Sequence, residues 1–278
     1  MTTTIIHIVL QKDLNMPWHF VPPRDLIYAA CQIGVQLESP KGQVHDVGTG
    51  TGFVVTDNEG RPWVVTNRHV LDPDFRQPAA KYLGYKLCSI ALFGRRDDGS
   101  VFDYVIDPAK GRMLVHENTE NDVIIFEPWV ISTNGDVLNQ LGRYFTLEQL
   151  ADEAYFRDEL YPTDVVCTSG YPDPHDKLSR RPVMRTGAIA SDPRYSYTWD
   201  KTDRGDVVAY DGFSLPGASG SPVFALGRGA AHLDKDSRGG RVVGVNAGHK
   251  NGMGGHTGIS WFYKSTVILE ILRKEGLA

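Results

Sequence analysis

Ser219 sits in Gly217-Ala218-Ser219-Gly220-Ser221-Pro222, a stretch with neither helical nor strand periodicity that runs directly into the apolar Val223-Phe224. A serine hydroxyl becomes a nucleophile only when a base takes its proton and donors receive the oxyanion. Small flanking residues let the backbone curl around the serine and aim its N–H groups at one point. The same composition also describes a polar β-turn, so the rest of the chain has to supply the base. Of nine histidines, only His69 ends an apolar run, Trp63-Val64-Val65-Thr66-Asn67-Arg68-His69-Val70-Leu71. A strand end is rigid enough to hold an imidazole for catalysis. A third group must orient that imidazole and stabilise its charged form. Asp122 opens the run Asp122-Val123-Ile124-Ile125-Phe126, and a carboxylate leading into a buried strand is costly without a partner. Asp103 and Asp107 flank another strand and read as surface carboxylates. The order His69, Asp122, Ser219 is one of the known chain orders of a Ser-His-Asp triad.

The elements that must position these groups are mostly strands. Residues 53–56 and 63–66, joined by Asp57-Asn58-Glu59-Gly60, read as a hairpin. Further strands are expected at 33–37, 87–93, 102–106, 113–116 and 123–126, and after a break at 165–169, 183–189, 207–210, 222–225, 242–246 and 259–263. Gly, Pro, Asn and Asp punctuate them, the pattern of an all-β sandwich or barrel rather than of alternating βα units. The break reads as helical: Thr146 and Gln149 fit a capping box, with Leu147, Leu150, Ala151 and Ala154 at helical spacing. A second helix is expected from Ser265 or Thr266, with Val267, Ile268, Ile271 and Leu272 as its apolar face and Gly276 as its stop. This divides the chain into an N-terminal extension (1–28), a first β unit (29–131), a helical connector (132–163), a second β unit (164–263) and a terminal helix (264–278).

Composition narrows the function classes. The chain has 278 residues, 41% of them hydrophobic and 23% charged, enough for a sizeable core in one large or two small domains. A net charge of −5 argues against general nucleic-acid binding. The basic run Lys177, Arg180, Arg181, Arg185 reads as a solvated loop. No apolar run approaches the ~20 residues of a membrane span. The early run Ile5-Ile6-His7-Ile8-Val9-Leu10 lacks the features of a signal peptide, so a cytoplasmic location is expected. Cys31, Cys88 and Cys167 have neither disulfide nor metal-ligand spacing and read as buried thiols. No cofactor is expected. The glycine-rich 248–255 reads as a loop rather than a phosphate cradle, Gly48-Thr49-Gly50-Thr51-Gly52 runs into a strand rather than a helix, and His175 with Asp173 and Asp176 reads as an exposed turn.

Taken in order, Gly50-Thr51-Gly52-Phe53-Val54-Val55, Val65-Thr66-Asn67-Arg68-His69-Val70, Asp122-Val123-Ile124-Ile125, Gly170-Tyr171-Pro172, Gly217-Ala218-Ser219-Gly220-Ser221-Pro222 and Val243-Gly244-Val245 resemble a trypsin/chymotrypsin-like serine peptidase. The flavour is that of bacterial Deg-type and glutamyl-type members, and the resemblance covers roughly residues 30–263. It implies a two-barrel chymotrypsin-like fold with two six-stranded barrels, a polypeptide substrate, an acyl-enzyme, and an oxyanion hole made by the N–H groups of Gly217 and Ser219. Ala218 stands where digestive trypsins carry the aspartate that pairs with a new N-terminus, so that activation switch is absent from the motif. The motif also ends Gly-Ser-Pro where those enzymes have Gly-Gly-Pro.

By the same resemblance, the specificity pocket is walled by Phe213, Ser214 and the stretch Asn246, Ala247, Gly248, His249. Phe213 offers no carboxylate for Lys or Arg. Asn246 stands where glutamyl-type enzymes carry a histidine, so a small or medium apolar side chain is the expected preference, with His249 nearby. The alternative that Asn246 and His249 are ordinary loop residues stays open. Two other functions also stay open. An α/β-hydrolase esterase would use Ser219 with Asp234 or Asp236 and His249 or His256, although Ser221 departs from the nucleophile elbow. A latent protease-fold scaffold would need a regulatory protein partner.

Overall fold

The structure, a computed structural model, describes residues 24–72, 74–75, 82–96, 98–133, 141–228, 238–252 and 255–278. Most of the expected N-terminal extension, and the rival acids Asp234 and Asp236, lie outside the described residues. A 3₁₀ turn at Arg24–Ala29 leads into the first sheet. That sheet contains β1 (Ala30–Glu38), β2 (Val44–Thr56), β3 (Pro62–Thr66), β4 (Lys86–Arg95), β5 (Val101–Ile106), β6 (Met113–Val115), β7 (Ile124–Phe126), β8 (Val130–Thr133) and β9 (Tyr144–Phe145). Its spatial order is β6-β7-β3-β2-β1-β4-β5-β8, with β9 added in parallel to β2. The second sheet contains β10 (Val165–Gly170), β11 (Val183–Ile189), β12 (Val207–Asp211), β13 (Pro222–Ala225), β14 (Arg241–Gly252) and β15 (Gly255–Lys264). These six strands close into a barrel in the order β10-β11-β12-β15-β14-β13. The chain is therefore all-β in two units, as predicted. The first unit is a nine-stranded half-barrel rather than a closed six-stranded one, and with the closed second barrel it makes the expected two-barrel chymotrypsin-like fold.

The near-continuous apolar runs have a geometric cause. Side chains alternate across a strand, and here both faces are buried. In β2, Val54 faces the core inside the first unit while Phe53 and Val55 face outward. In β3, Val64 faces inward while Trp63 and Val65 face outward. Around β7, Ile124 and Phe126 alternate with Val123 and Ile125 in the same way. The outward set meets Phe224, Val242, Val245 and Tyr263 of the second barrel, whose own interior holds Val166, Val208, Val223 and Phe262. A third core thus lies between the two units. The C-terminal helix α3 (Ser265–Lys274) adds Val267, Ile268, Ile271 and Leu272 to it and ends before Gly276 at φ +69°.

Several expectations change. The connector is not one helix. Its periodic residues split into a 3₁₀ turn (Leu147–Gln149) and a short helix α2 (Glu153–Asp158), which is capped by Asp152 through the Tyr155 N–H at 2.8 Å. The break falls where the second barrel and α3 claim the backbone: Ala151 N–H donates to Val242 C=O of β14 at 2.8 Å, and Ser265 Oγ of α3 donates to Ala151 C=O at 2.6 Å. Strands β8 and β9 also place part of the connector in the first sheet. The glycine-rich 248–255 is mostly strand: β14 and β15 pair down to Asn251 with His256 and Gly252 with Gly255. The basic run is exposed at Lys177, Arg180 and Arg181, as expected of a solvated loop, but it is tied to the first unit. Arg180 lies 3.5 Å over the Phe93 ring and donates to Gln32 Oε1 at 3.0 Å, and Arg95 reaches Ser179 C=O. Cys31 and Cys167 are buried, and burial pushes their thiols up to about 12 and about 11. Cys88 is only half-buried and donates to Gln36 C=O. No helix among the described residues is long and apolar enough to cross a membrane.

The β2–β3 hairpin is pinned at its turn by Asp57. Its buried carboxylate accepts from Trp63 Nε1 (3.1 Å), Arg61 N–H (2.9 Å), Arg61 Nε (2.7 Å) and Glu59 N–H (2.9 Å). Burial works to raise its pKa, but these bonds outweigh burial and hold it below the ordinary aspartate value. A lowered folded-state pKa means that this stabilisation is present above the unfolded value and is lost as pH falls through the folded one. Asp57→Ala should cost about 1–3 kcal/mol at neutral pH and flatten the acid dependence between roughly pH 5 and 2. Urea titrations at stepped pH would measure both effects; an unchanged acid limb would refute this role for Asp57.

Candidate active site

His69 lies beyond the strand that it is expected to end. β3 stops at Thr66, and His69 lies on a one-turn helix α1 (Arg68–Leu71). Its position is nonetheless set by β3, because Asn67 at the junction is buried and donates from Nδ2 to Asp122 C=O at 2.7 Å. Asp122 lies just before β7 rather than inside it. Pairing of β3 with β7, Thr66 opposite Ile124, brings the two segments together.

The contact between them has two prongs. His69 N–H donates to Asp122 Oδ1 at 2.9 Å, and His69 Nδ1 lies 2.6 Å from Asp122 Oδ2. The Asp122 side chain is 9% exposed and that of His69 37%. A carboxylate so placed selects the tautomer with the proton on Nδ1 and leaves Nε2 free to accept one. Asp122 is steadied from behind by Asn121, which donates from Nδ2 to Asp206 Oδ2 at 2.9 Å and accepts the Asp206 N–H at 2.8 Å. The rival carboxylates are engaged elsewhere: Asp103 with Arg180, and Asp107 with Lys110 and the Ala109 N–H.

Ser219 comes from the other unit. Its loop lies between β12 and β13, with Gly217 at φ +86° and Gly220 at φ +88°, conformations that L-residues rarely adopt. A Cβ on Gly220 would sit 1.9 Å from Thr51 C=O and 2.2 Å from Thr66 Oγ1, so only glycine fits there. The loop meets the first unit through Thr51 N–H, which donates to Ser219 C=O at 2.8 Å. A Cβ on Gly50 would meet Ser219 C=O on one side and Val70, next to His69, on the other. Ser219 and His69 therefore flank the same stretch of β2. Ser219 Oγ donates to Ala247 C=O at 3.3 Å. Among the described residues, the N–H groups of Gly217 and Ser219 donate to no backbone carbonyl, whereas those of Ala218 and Gly220 are taken by Leu215 and Asn246. Two such N–H groups on one curled loop form a place for negative charge.

Among the expected pocket residues, Asn246 is no loop residue. It is buried in β14, donates from Nδ2 to Ser214 Oγ and Ala218 C=O (both 2.9 Å), and accepts from the Tyr210 hydroxyl at 2.8 Å. Its backbone exchanges bonds with the loop as well: Gly220 N–H to Asn246 C=O, and Asn246 N–H to Ser221 C=O, both 2.8 Å. Ser214 N–H donates to Ser260 Oγ at 3.0 Å. Gly248 lies against the Trp261 ring, 2.9 Å from where its Cβ would be. Phe213 is half exposed and packs on His256 (4.6 Å between centroids), which in turn stacks on His249 at 4.3 Å. His175 is held by Pro172 C=O. No group of three or more His, Cys, Asp or Glu among the described residues could hold a metal ion.

Sequence reasoning did not single out Thr51, Thr66, Asn67 or Asn121 as parts of this site. Asn67 had a signal, a polar amide between an apolar strand and His69. The others become legible only through partners far along the chain.

Residues 50–231 match the family model described as a trypsin-like peptidase domain. A thermostable serine protease, AL20, from an extremophilic microorganism has a similar fold, with a TM-score of 0.51 at 12% identity over 92% of this chain and 100% of that one. The protease Anisep from Arthrobacter nicotinovorans aligns at 15% identity over 89% and 96% of the two chains (TM-score 0.49), and Deg5 at 14% over 88% of each (TM-score 0.49). No curated protein matches the chain.

The His249–His256 stack generates a test of the pocket wall. Burial, then the neighbouring His249 and Arg185, lower the His256 pKa below the ordinary histidine value, and His256 Nδ1 accepts the Gly258 N–H at 2.8 Å. An NMR titration of the His256 ring should therefore show a midpoint below that of free histidine. His249→Ala should move it upward, and a midpoint that stays put would contradict the stacked geometry.

Proposed function

The chain belongs to the trypsin-like peptidase family of serine proteases, and from that premise we propose that Ser219, His69 and Asp122 form its catalytic triad. In this reading His69 Nε2 takes the Ser219 proton as Oγ attacks a peptide carbonyl, then returns it to the leaving amine. Asp122 holds the Nδ1 proton and stabilises the imidazolium. The N–H groups of Gly217 and Ser219 receive the oxyanion. Water then enters by the same route, with His69 again as base, and releases the acyl group. The two-pronged His69–Asp122 contact carries the proposal. A surface ion pair requires no second bond from the histidine backbone, whereas an oriented imidazole does.

The esterase alternative needs a βα framework, which is absent among the described residues. The latent alternative has one observation in its favour: Ser219 Oγ donates to Ala247 C=O. Such a serine must turn toward His69 before it reacts, and a bound substrate or a partner protein supplies the occasion. The P1 side chain is proposed to be small or medium and apolar. Asn246 spends both amide protons within the protein, so it has none left to read a carboxylate, and Phe213 offers no charge for a basic group.

A fluorophosphonate should label the folded protein at Ser219, and Ser219→Ala should abolish labelling. If the folded protein stays unlabelled under every condition, the protease reading fails; labelling only with an added partner would establish the latent form. Asp122→Asn should reduce turnover on the order of 10⁴-fold, as misorienting the imidazole does in the triad template, while Asp103→Asn should leave it nearly unchanged. Equal losses would displace Asp122. A peptide-library cleavage profile should be enriched in small apolar P1 residues, and a dominant Arg, Lys or Glu would overturn the pocket assignment.

A further inference from the structure

Thr51 makes four hydrogen bonds with no exposed surface. Its N–H donates to Ser219 C=O at 2.8 Å, and its hydroxyl donates to Gly217 C=O at 2.8 Å. The same hydroxyl oxygen accepts the Tyr171 N–H at 3.0 Å, and Thr51 C=O accepts the Thr66 hydroxyl at 2.7 Å. Three of the four cross from the first unit to the second. They end on both flanks of the oxyanion loop and on the start of the Tyr171 segment. No side chain of the loop duplicates these bonds. Ala218 has no polar side chain, and Ser221 Oγ is buried without a partner.

The geometry of the peptide planes says what the hydroxyl does. The Gly217 N–H lies one plane before the Gly217–Ala218 peptide, and the Ser219 N–H one plane after it. That middle plane sets the angle between the two donors. Glycine at φ +86° tolerates backbone angles closed to other residues, so the plane is held by its bonds: the Ala218 N–H to Leu215 C=O at one edge and the Gly217 carbonyl to the Thr51 hydroxyl at the other, the latter being the one that comes from the opposite unit. We propose that the Thr51 hydroxyl is a positioning residue that keeps the oxyanion donors converged from the opposite unit, so that the hole is formed without an activation step. The proposal rests on the reading of Ser219 as nucleophile.

The test uses the rate at which a fluorophosphonate labels Ser219, since that reaction also develops charge on an oxygen in the hole. Thr51→Ala should slow labelling roughly 10- to 100-fold, somewhat less than the loss of a direct oxyanion donor. Thr51→Ser, which keeps the hydroxyl, should stay within about threefold of the parent. The low-field proton resonance of His69 Nδ1–H against Asp122 should persist in both variants, because the hydroxyl does not touch that pair. A parental rate in Thr51→Ala, an equal loss in Thr51→Ser, or loss of the low-field proton together with the rate would each overturn the proposal. If Thr51→Ala does not fold, Thr51→Val takes its place under the same criteria. Labelling that survives Ser219→Ala would instead remove the nucleophile assignment on which the proposal stands.

Discussion

The contact between the two β units is the constraint on which everything else depends. His69 and Asp122 belong to the first unit and Ser219 to the second, so no local motif can assemble them. Phe53, Val65 and Ile125 on one side bury themselves against Phe224, Val242 and Tyr263 on the other. Each such side chain contributes roughly 1.5–3 kcal/mol when fully buried, so the shared core binds the units firmly. Hydrophobic burial is non-directional, however, and a triad must be aligned to a fraction of an ångström. The polar groups inside that core supply the alignment. Thr51 reaches the serine loop from the first unit, backed by the Thr66 hydroxyl on its own carbonyl, and Asn246 grips the loop from the second.

These polar groups are buried, which makes them specific. A buried donor or acceptor without a partner costs about 1–3 kcal/mol, so a mis-seated loop would lose several bonds together. The two glycines with positive φ play the complementary part. Gly220 leaves room for Thr51 and Thr66 to approach, and Gly217 lets the chain turn at a positive φ. The loop is thus held by its carbonyls and by the Ala218 and Gly220 N–H groups, while among the described residues those of Gly217 and Ser219 donate to no backbone carbonyl. The His69–Asp122 pair is built differently, within one unit, by β3 pairing with β7 and by Asn67 and Asn121 fixing the backbone on either side of Asp122.

Much of this was legible from residue types. Alternation within short runs, glycine and proline punctuation and the apolar stripe of the terminal helix point to an all-β chain with one closing helix, because these patterns report local geometry. The connector misled for the same reason. Leu147, Leu150, Ala151 and Ala154 have helical spacing, but Ala151 lends its N–H to the second barrel and its C=O to the start of α3, and the helix breaks there. The glycines of 248–255 suggested a loop, yet cross-strand pairing carries β14 and β15 through most of that stretch. Asn246, open to a reading as loop, became the anchor of the serine segment because its partners Ser214, Ala218 and Tyr210 lie 28 to 36 residues away.

The chain by itself determined the repertoire: a glycine-flanked serine, a histidine after an apolar strand, an aspartate before another, and enough β-rich sequence for two units. Those are matters of residue type and near-neighbour spacing, which a linear code carries directly. The tertiary structure decided which donors face which acceptors. It chose Asp122 over Asp103 as the partner of His69, turned Ser219 Oγ toward Ala247, and set the Thr51 hydroxyl on the Gly217 carbonyl, 166 residues away. Hydrogen bonds act over about 3 Å and depend on angle, so they exist only once packing has fixed both units, and no spacing along the chain encodes them.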